Sequence, residues 1–319
     1  MKIVILEGIA ANPGDCNWDA FKGLGELTVY DRTPRDKIVE RIGDAEIVLC
    51  CLESGLTREV LDACPNIKYI GLMSAGYNYC DVAAAKEKGI PACNIPTYGP
   101  YTVAQFTISL LLEICSNVGH YNQKVYDGTW AKTGYWFYMD KPLIELAGKT
   151  MGVIGLGRIG KYTARMAKAF GMNILAYDEY PDDEGRSIAE YVDLDTLYAK
   201  SDVIALHTPL FESNRNMINK NSIAKMKDGV IILNTARGPL VSEQDLADAL
   251  NSGKVAAAGL DTTASEPVEA DNPLMKAKNC FITPHIAWAP QESRQRLINL
   301  AADNIRAFLD GKPINVVNK

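Results

Sequence analysis

Lys149-Thr150-Met151-Gly152-Val153-Ile154-Gly155-Leu156-Gly157-Arg158-Ile159-Gly160 decides how this chain is read. An apolar run ends at Gly155, and glycine recurs at 157 and 160 before a stretch, Lys161 to Phe170, that stops at Gly171. A strand, a tight turn and a helix are expected in that order. Gly155 permits the turn, Gly157 lets backbone approach a pyrophosphate, and Gly160 lets the helix pack close to the strand. The start of the helix adds unpaired N–H groups and the positive end of its dipole, so a phosphate dianion is the natural ligand. The next apolar run, Asn173 to Tyr177, delivers Asp178, 18 residues beyond Gly160. A carboxylate there accepts from both hydroxyls of an adenosine ribose and repels a 2′-phosphate, which favours NAD over NADP. Glu179, Asp182, Asp183 and Glu184 follow closely, and a ribose contact from any of them would leave that preference intact.

The pattern extends outward from this unit in both directions. Short apolar runs at Ile3 to Leu6, Glu46 to Leu49, Lys68 to Leu72, Val203 to Leu206, Gly229 to Leu233, Ala256 to Leu260 and Phe281 to Thr283 alternate with helical stretches. Such alternation means parallel strands. Several runs are apolar at every position rather than every second one, as in a sheet covered by helices on both faces. A chain of 319 residues that is 47% hydrophobic suits two domains of ordinary size. The expected class is therefore α/β with two doubly wound parallel-sheet domains. Residues 103–114 (VAQFTISLLLEI) carry one formal charge and read as a helix buried nearly all round, and Gln291 to Leu309 reads as a long closing helix before Gly311 and Pro313.

Charge and cysteine usage narrow the function classes. With 33 Lys and Arg against 39 Asp and Glu, and a net charge of −6, no basic field favours nucleic acid or anionic lipid. The opening Met1-Lys2-Ile3-Val4-Ile5-Leu6 is too short for a signal h-region or a membrane span, so a cytoplasmic protein is expected. Eight cysteines lie in apolar contexts without a Cys-x-x-Cys pair and read as reduced, buried side chains; no metal is expected.

Three polar residues stand just past strand ends, on the side where open α/β sheets bind ligands: Arg237 after Ile231 to Ala236, Glu266 after Ala256 to Asp261, and His285 after Phe281 to Pro284. Each alone has a bland reading, as a surface cation, a solvated loop acid and a residue leading into a helix. Together they have the types that reduction of a 2-keto acid needs. A guanidinium holds a carboxylate and polarises a ketone, an imidazole donates a proton to the developing alkoxide, and a carboxylate on the other ring nitrogen fixes the tautomer.

Gly155-x-Gly157-x-x-Gly160, Asp178, His207-Thr-Pro-Leu210, Asn234-Thr-Ala-Arg237-Gly238-x-x-Val241, Asp261 to Glu266-Pro267 and Pro284-His285-Ile-Ala together resemble the D-2-hydroxyacid dehydrogenases over nearly the whole chain. The resemblance implies an NAD-binding Rossmann domain, residues 102–287, inserted into a smaller flavodoxin-like substrate domain, residues 1–101 and 288–319. It implies Arg237 as substrate-binding, Glu266 as the acid paired with histidine, and His285 as acid/base. Ser74, Ala75 and Gly76 would form the loop whose amides receive the substrate carboxylate, as small residues in an anion nest can. Arg158 and Ile159 are implied at the pyrophosphate, Thr208 and Pro209 beside the adenosine, Thr235 and Ala236 along the cofactor, Asp261 near its carboxamide, and Thr102 near the nicotinamide. A homodimer through the cofactor domain is also implied.

Within the family, Pro284-His285-Ile-Ala-Trp288-Ala289, Glu292-Ser-Arg294-x-Arg296-Leu297 and the run Tyr135-Trp-Phe-Tyr138 are similar to hydroxypyruvate reductases, or glycerate dehydrogenases. Gln105, Pro239 and Ser242 depart from common family residues, outside the three catalytic positions. D-Lactate-type and phosphoglycerate-type oxidation remain alternatives, as does an NAD-sensing corepressor, since such relatives keep the same three residues. Trp136 and Trp288 read equally well as packing residues, and His207 reads as structural.

Overall fold

A computed structural model describes all residues, Met1 to Lys319. The chain divides into two compact units, Met1–Gly99 with Trp288–Lys319, and Pro100–Ala287. The first crossing falls at 99/100 rather than 101/102, because a helix that runs unbroken over Pro100–Ser116 starts there.

The first unit holds a five-stranded parallel sheet of β1 (Lys2–Ile5), β2 (Glu26–Val29), β3 (Ile47–Cys50), β4 (Tyr69–Leu72) and β5 (Ala92–Cys93), in the order β2-β1-β3-β4-β5. Two cores flank it. Ile3, Ile5, Ile47 and Leu49 point to one face and Val4, Leu6, Val48 and Cys50 to the other, which is why the central β3 (IVLC) has no polar position. The first of these faces is closed by the helix Gln291–Leu309 through Leu297, Ile298, Ala301, Ala302 and Ile305, and Phe308 meets Tyr69 at 4.9 Å between ring centroids.

The second unit holds seven parallel strands, β6 (Thr150–Ile154), β7 (Asn173–Tyr177), β8 (Glu190–Tyr191), β9 (Val203–Leu206), β10 (Val230–Asn234), β11 (Val255–Leu260) and β12 (Cys280–Ile282). Their order is β12-β11-β10-β9-β6-β7-β8, so the direction of winding reverses between β6 and β9. In open α/β sheets, ligands bind outside the carboxyl ends of the strands at that reversal. Met151, Val153, Val203, Ala205, Ile231 and Leu233 face one core, and Ile154, Ile204, Leu206 and Ile232 the other. The helix Pro100–Ser116 packs into the first of these through Ile108, Leu111, Ile114 and Cys115. It is not buried all round: Tyr101, Gln105 and Ser109, spaced by four, form an exposed stripe.

β2, β5 and β8 have no counterpart in the strand pattern of the sequence. They are short or half-exposed edge strands, and β2 (ELTV) buries no residue fully. All eight cysteines are free thiols, with Cys50, Cys64, Cys80, Cys93 and Cys115 buried. No single helix is long and apolar enough to cross a membrane.

The glycine turn after β6 leaves no room for a side chain. A Cβ on Gly160 would lie 2.1 Å from the Gly155 carbonyl oxygen. Gly160→Ala is expected to force the helix off the strand at a cost of about 1–3 kcal/mol, seen as a lower melting temperature together with weaker NADH binding. A variant with unchanged melting and affinity would show that the close packing is not needed.

Candidate functional site

The turn that follows β6 fits a dinucleotide. Gly155 has φ +92°, and a Cβ there would lie 2.7 Å from the His207 carbonyl carbon and the Thr208 nitrogen, so the loops after β6 and β9 are in backbone contact. A Cβ on Gly157, by contrast, would meet nothing within 4 Å. The helix Arg158–Ala169 makes its first intrahelical bond from Lys161 N–H to the Gly157 oxygen, 2.9 Å, so the amides of Arg158, Ile159 and Gly160 lie ahead of the ladder. Such a turn suits an anion in both shape and polarity.

Hydrogen bonding sets Asp178 apart from the other acids that follow β7. Asp178 Oδ2 accepts the Leu156 N–H at 2.7 Å and Oδ1 accepts the Tyr180 N–H at 2.9 Å, which fixes its carboxylate against the glycine turn. Each oxygen keeps a further lone pair for a ribose hydroxyl. Asp182 and Glu184 are instead paired with Lys161, and Glu184 also with Arg165 at 2.6 Å.

Arg237 follows β10. The buried Asn234 at the end of that strand accepts the Ala236 N–H at 3.0 Å and donates Nδ2–H to the Arg237 carbonyl at 2.9 Å, which shapes the turn. The guanidinium donates Nη1–H to the Ala236 oxygen at 2.7 Å. A Cβ on the next residue, Gly238, would lie 2.0 Å from the Thr263 carbonyl, so the Arg237 turn lies against the loop that carries Glu266. Glu266 Oε1 accepts the Thr263 N–H at 3.2 Å, and Oε2 lies 2.7 Å from His285 Nδ1. Burial pushes the Glu266 carboxyl up. The His285 bond and charge, the Thr263 amide and the Arg237 charge outweigh that and hold it below its ordinary value. Arg237, Glu266 and His285 therefore belong to one electrostatic group.

His285 has φ +53°, a left-handed conformation that costs a non-glycine residue roughly 1–3 kcal/mol. Asp261, at the end of β11 and 1% exposed, holds the backbone there. Its Oδ1 accepts from Thr283 Oγ1 at 2.6 Å and from the Ile286 N–H at 2.9 Å, and its Oδ2 from the Ala287 N–H at 2.8 Å. The sequence marks Asp261 only as a cofactor neighbour, yet in the structure its carboxylate clamps the loop that presents the imidazole.

The other expected cofactor residues fall as follows. Arg158 and Ile159 open the helix after the glycine turn, and Thr208 and Pro209 follow β9 beside Gly155. Thr235 is buried with its hydroxyl 2.8 Å from that of Thr107, and Ala236 is half-buried. Thr102 lies in the first turn of the helix Pro100–Ser116. Neither ring nitrogen of His207 has a hydrogen-bond partner, and burial pushes its pKa down to about 3, so it stays neutral. Trp136 is 77% exposed and so is no core residue, whereas Trp288 packs on the core of the first unit.

In the first unit, Ser74, Ala75 and Gly76 form the loop after β4. The amides of Ala75, Gly76 and Tyr77 donate to no group of the chain. Sequence reasoning missed the residues that shape this loop, Asn94 and Tyr79. Asn94 Nδ2 donates to the Ala75 oxygen at 2.7 Å, and the Tyr79 hydroxyl lies 2.8 Å from that of Ser74.

Because the Glu266 carboxyl titrates below its ordinary value of 4.5, its contribution to stability is present above that pH and is lost as the pH falls through the lowered value. Glu266→Gln is therefore expected to lower the melting temperature near pH 7, with the difference from the unaltered chain shrinking below pH 4.5. Thermal unfolding across pH checks this; a difference that grows in acid would contradict it.

Residues 108–287 match the family model described as D-isomer specific 2-hydroxyacid dehydrogenase, NAD binding domain. The chain is 57% identical over 324 residues to hydroxypyruvate reductase of Blautia hydrogenotrophica, with 100% of both chains covered. It is 39% identical over 295 residues to glycerate dehydrogenase of Methylorubrum extorquens, covering 92% of each. Among solved structures, D-lactate dehydrogenase from Aquifex aeolicus, complexed with NAD and lactic acid, aligns with a TM-score of 0.83 at 30% identity, covering 100% of this chain and 99% of that one. The glycine turn, the clamped Asp178 and the Arg237–Glu266–His285 group thus sit in a chain that belongs to the D-isomer specific 2-hydroxyacid dehydrogenase family and is an NAD-dependent oxidoreductase.

Proposed function

We propose that this protein is a hydroxypyruvate reductase, converting hydroxypyruvate to D-glycerate and accepting glyoxylate as a smaller substrate. The observation that carries the chemistry is the 2.7 Å contact of Glu266 with His285 Nδ1 beside the charge of Arg237. The substrate assignment rests on the likeness to the Blautia enzyme along the full chain.

NADH, when bound, supplies the hydride that reduces C2 of the keto acid. Arg237 polarises the C2 carbonyl and offsets the charge of the carboxylate, for which a planar guanidinium suits two oxygens at once. The ring of His285 gives a proton to the C2 oxygen through Nε2, and Glu266 on Nδ1 fixes that tautomer and stabilises the imidazolium when the proton returns in the reverse direction. The amides of the Ser74–Gly76 loop receive the substrate carboxylate. Asp178 takes the ribose hydroxyls, and the Arg158 and Ile159 amides take the pyrophosphate.

The working form is a homodimer in the cytoplasm. The stretch 118–143 of the cofactor-binding unit leaves Val118, Tyr126, Tyr135, Trp136 and Met139 more than half exposed, an apolar surface of the kind a second copy buries. The eight free thiols suit a reducing compartment.

His285→Ala is expected to lower turnover by ~100-fold to 10,000-fold, the range for a positioned general acid, without changing NADH affinity. The measurement is NADH oxidation against hydroxypyruvate, glyoxylate, pyruvate and phosphohydroxypyruvate in parallel. Preference for pyruvate or phosphohydroxypyruvate would reassign the substrate, and NADH binding without turnover on any of them would favour a sensing role. Sedimentation should give twice the 34.9 kDa of one chain; a monomer would remove the dimer.

A further inference from the structure

We propose that Asn94 and Tyr79 are positioning residues that set the polarity of the carboxylate-receiving loop, although neither touches substrate. This rests on the reading of that loop given above.

Three consecutive carbonyls of the loop are tied. The Ser74 oxygen accepts the Ile95 N–H at 2.9 Å, the Ala75 oxygen accepts Asn94 Nδ2–H at 2.7 Å, and the Gly76 oxygen accepts the Ser74 hydroxyl. In a trans planar peptide the N–H points opposite to the C=O. Anchoring these carbonyls therefore turns the amides of Ala75, Gly76 and Tyr77 away from their anchors, and those are the amides that donate to no group of the chain. The Ser74 hydroxyl has one proton, committed to Gly76, so at 2.8 Å Tyr79 must be the donor to Ser74. The relay runs from Tyr79 O–H to Ser74 O–H to the Gly76 carbonyl. If either peptide flipped, a carbonyl oxygen would face the substrate carboxylate in place of an N–H.

Asn94 is itself braced. It is 8% exposed, its carbonyl accepts Asn304 Nδ2–H at 3.0 Å, and its N–H donates to the Asn315 oxygen at 3.1 Å. Asn315 Nδ2 in turn donates to Asn304 Oδ1 at 2.9 Å. An asparagine with its backbone held from two sides can aim its amide at one carbonyl with little entropy left to lose.

The test uses the full chain carrying Asn94→Ala or Tyr79→Phe, with Ser74→Ala and Ser74→Thr as a further pair. Oxalate binding to the NADH complex, read by NADH fluorescence, and KM for hydroxypyruvate are measured together with the preference for pyruvate over methyl pyruvate. Asn94→Ala and Tyr79→Phe are expected to weaken oxalate binding and raise KM roughly 10- to 100-fold, as for a lost hydrogen bond to a charged group. The acid-over-ester preference should fall by a similar factor, with NADH affinity unchanged. Ser74→Thr, which keeps the hydroxyl, should retain what Ser74→Ala loses. If Asn94→Ala does not fold, Tyr79→Phe decides. Unchanged oxalate affinity and acid-over-ester preference in a variant that binds NADH normally would overturn the proposal. An unaltered chain that reduces no keto acid would instead defeat the proposed reaction, and oxalate binding would still judge the loop.

Discussion

A buried carboxylate at the end of β11 is the interaction on which the presentation of His285 depends. Asp261 is removed from water and accepts three hydrogen bonds, two of them from consecutive amides of the loop that carries His285. A charge so placed is tolerable only while those donors stay where they are. The loop is thereby denied its more relaxed conformations, and the left-handed backbone at His285 persists. The imidazole is then aimed at Glu266 by main-chain constraint as well as by their mutual attraction. On the neighbouring strand, β10, Asn234 acts in a similar way by shaping the turn that holds Arg237.

The acids near the cofactor turn differ in what their lone pairs are committed to. Asp178 uses one lone pair of each oxygen on backbone amides and keeps others for a ligand, whereas Asp182 and Glu184 are taken up by Lys161 and Arg165. Five acids crowd into the seven residues from 178 to 184, but only Asp178 is anchored to the glycine turn.

Much of this was legible in the residues. The all-apolar strands announced sheets buried on both faces, and the glycine spacing announced the strand, turn and helix against which Asp178 is held. Arg237, Glu266 and His285 stood out because each follows a strand end. The edge strands escaped because Glu26–Val29 alternates weakly and two-residue strands carry no period. Asn94, Tyr79 and Asn234 escaped for a different reason. Each acts through a hydrogen bond to a group remote in sequence or hidden in a turn, and no spacing rule encodes such a bond. Asp261 was noticed for its motif, while its bond to the loop at 286 and 287 appears only in three dimensions.

The way the helix Gln291–Leu309 seals the first sheet bears on how the chain matures on the ribosome. Ile3, Ile5, Ile47, Leu49 and Tyr69 are translated early, but the helix that covers them lies beyond the whole of the second unit. At ordinary elongation rates that interval lasts roughly 10 to 40 s. Throughout it, one greasy flank of the nascent N-terminal sheet is covered only in part, by Ala11, Phe21 and Tyr98 of its own segment, while Pro100–Ala287 already has every strand it needs. The cofactor-binding unit is thus free to mature first. The segment around Ser74 gains its final bracing only when Asn304 and Asn315 arrive.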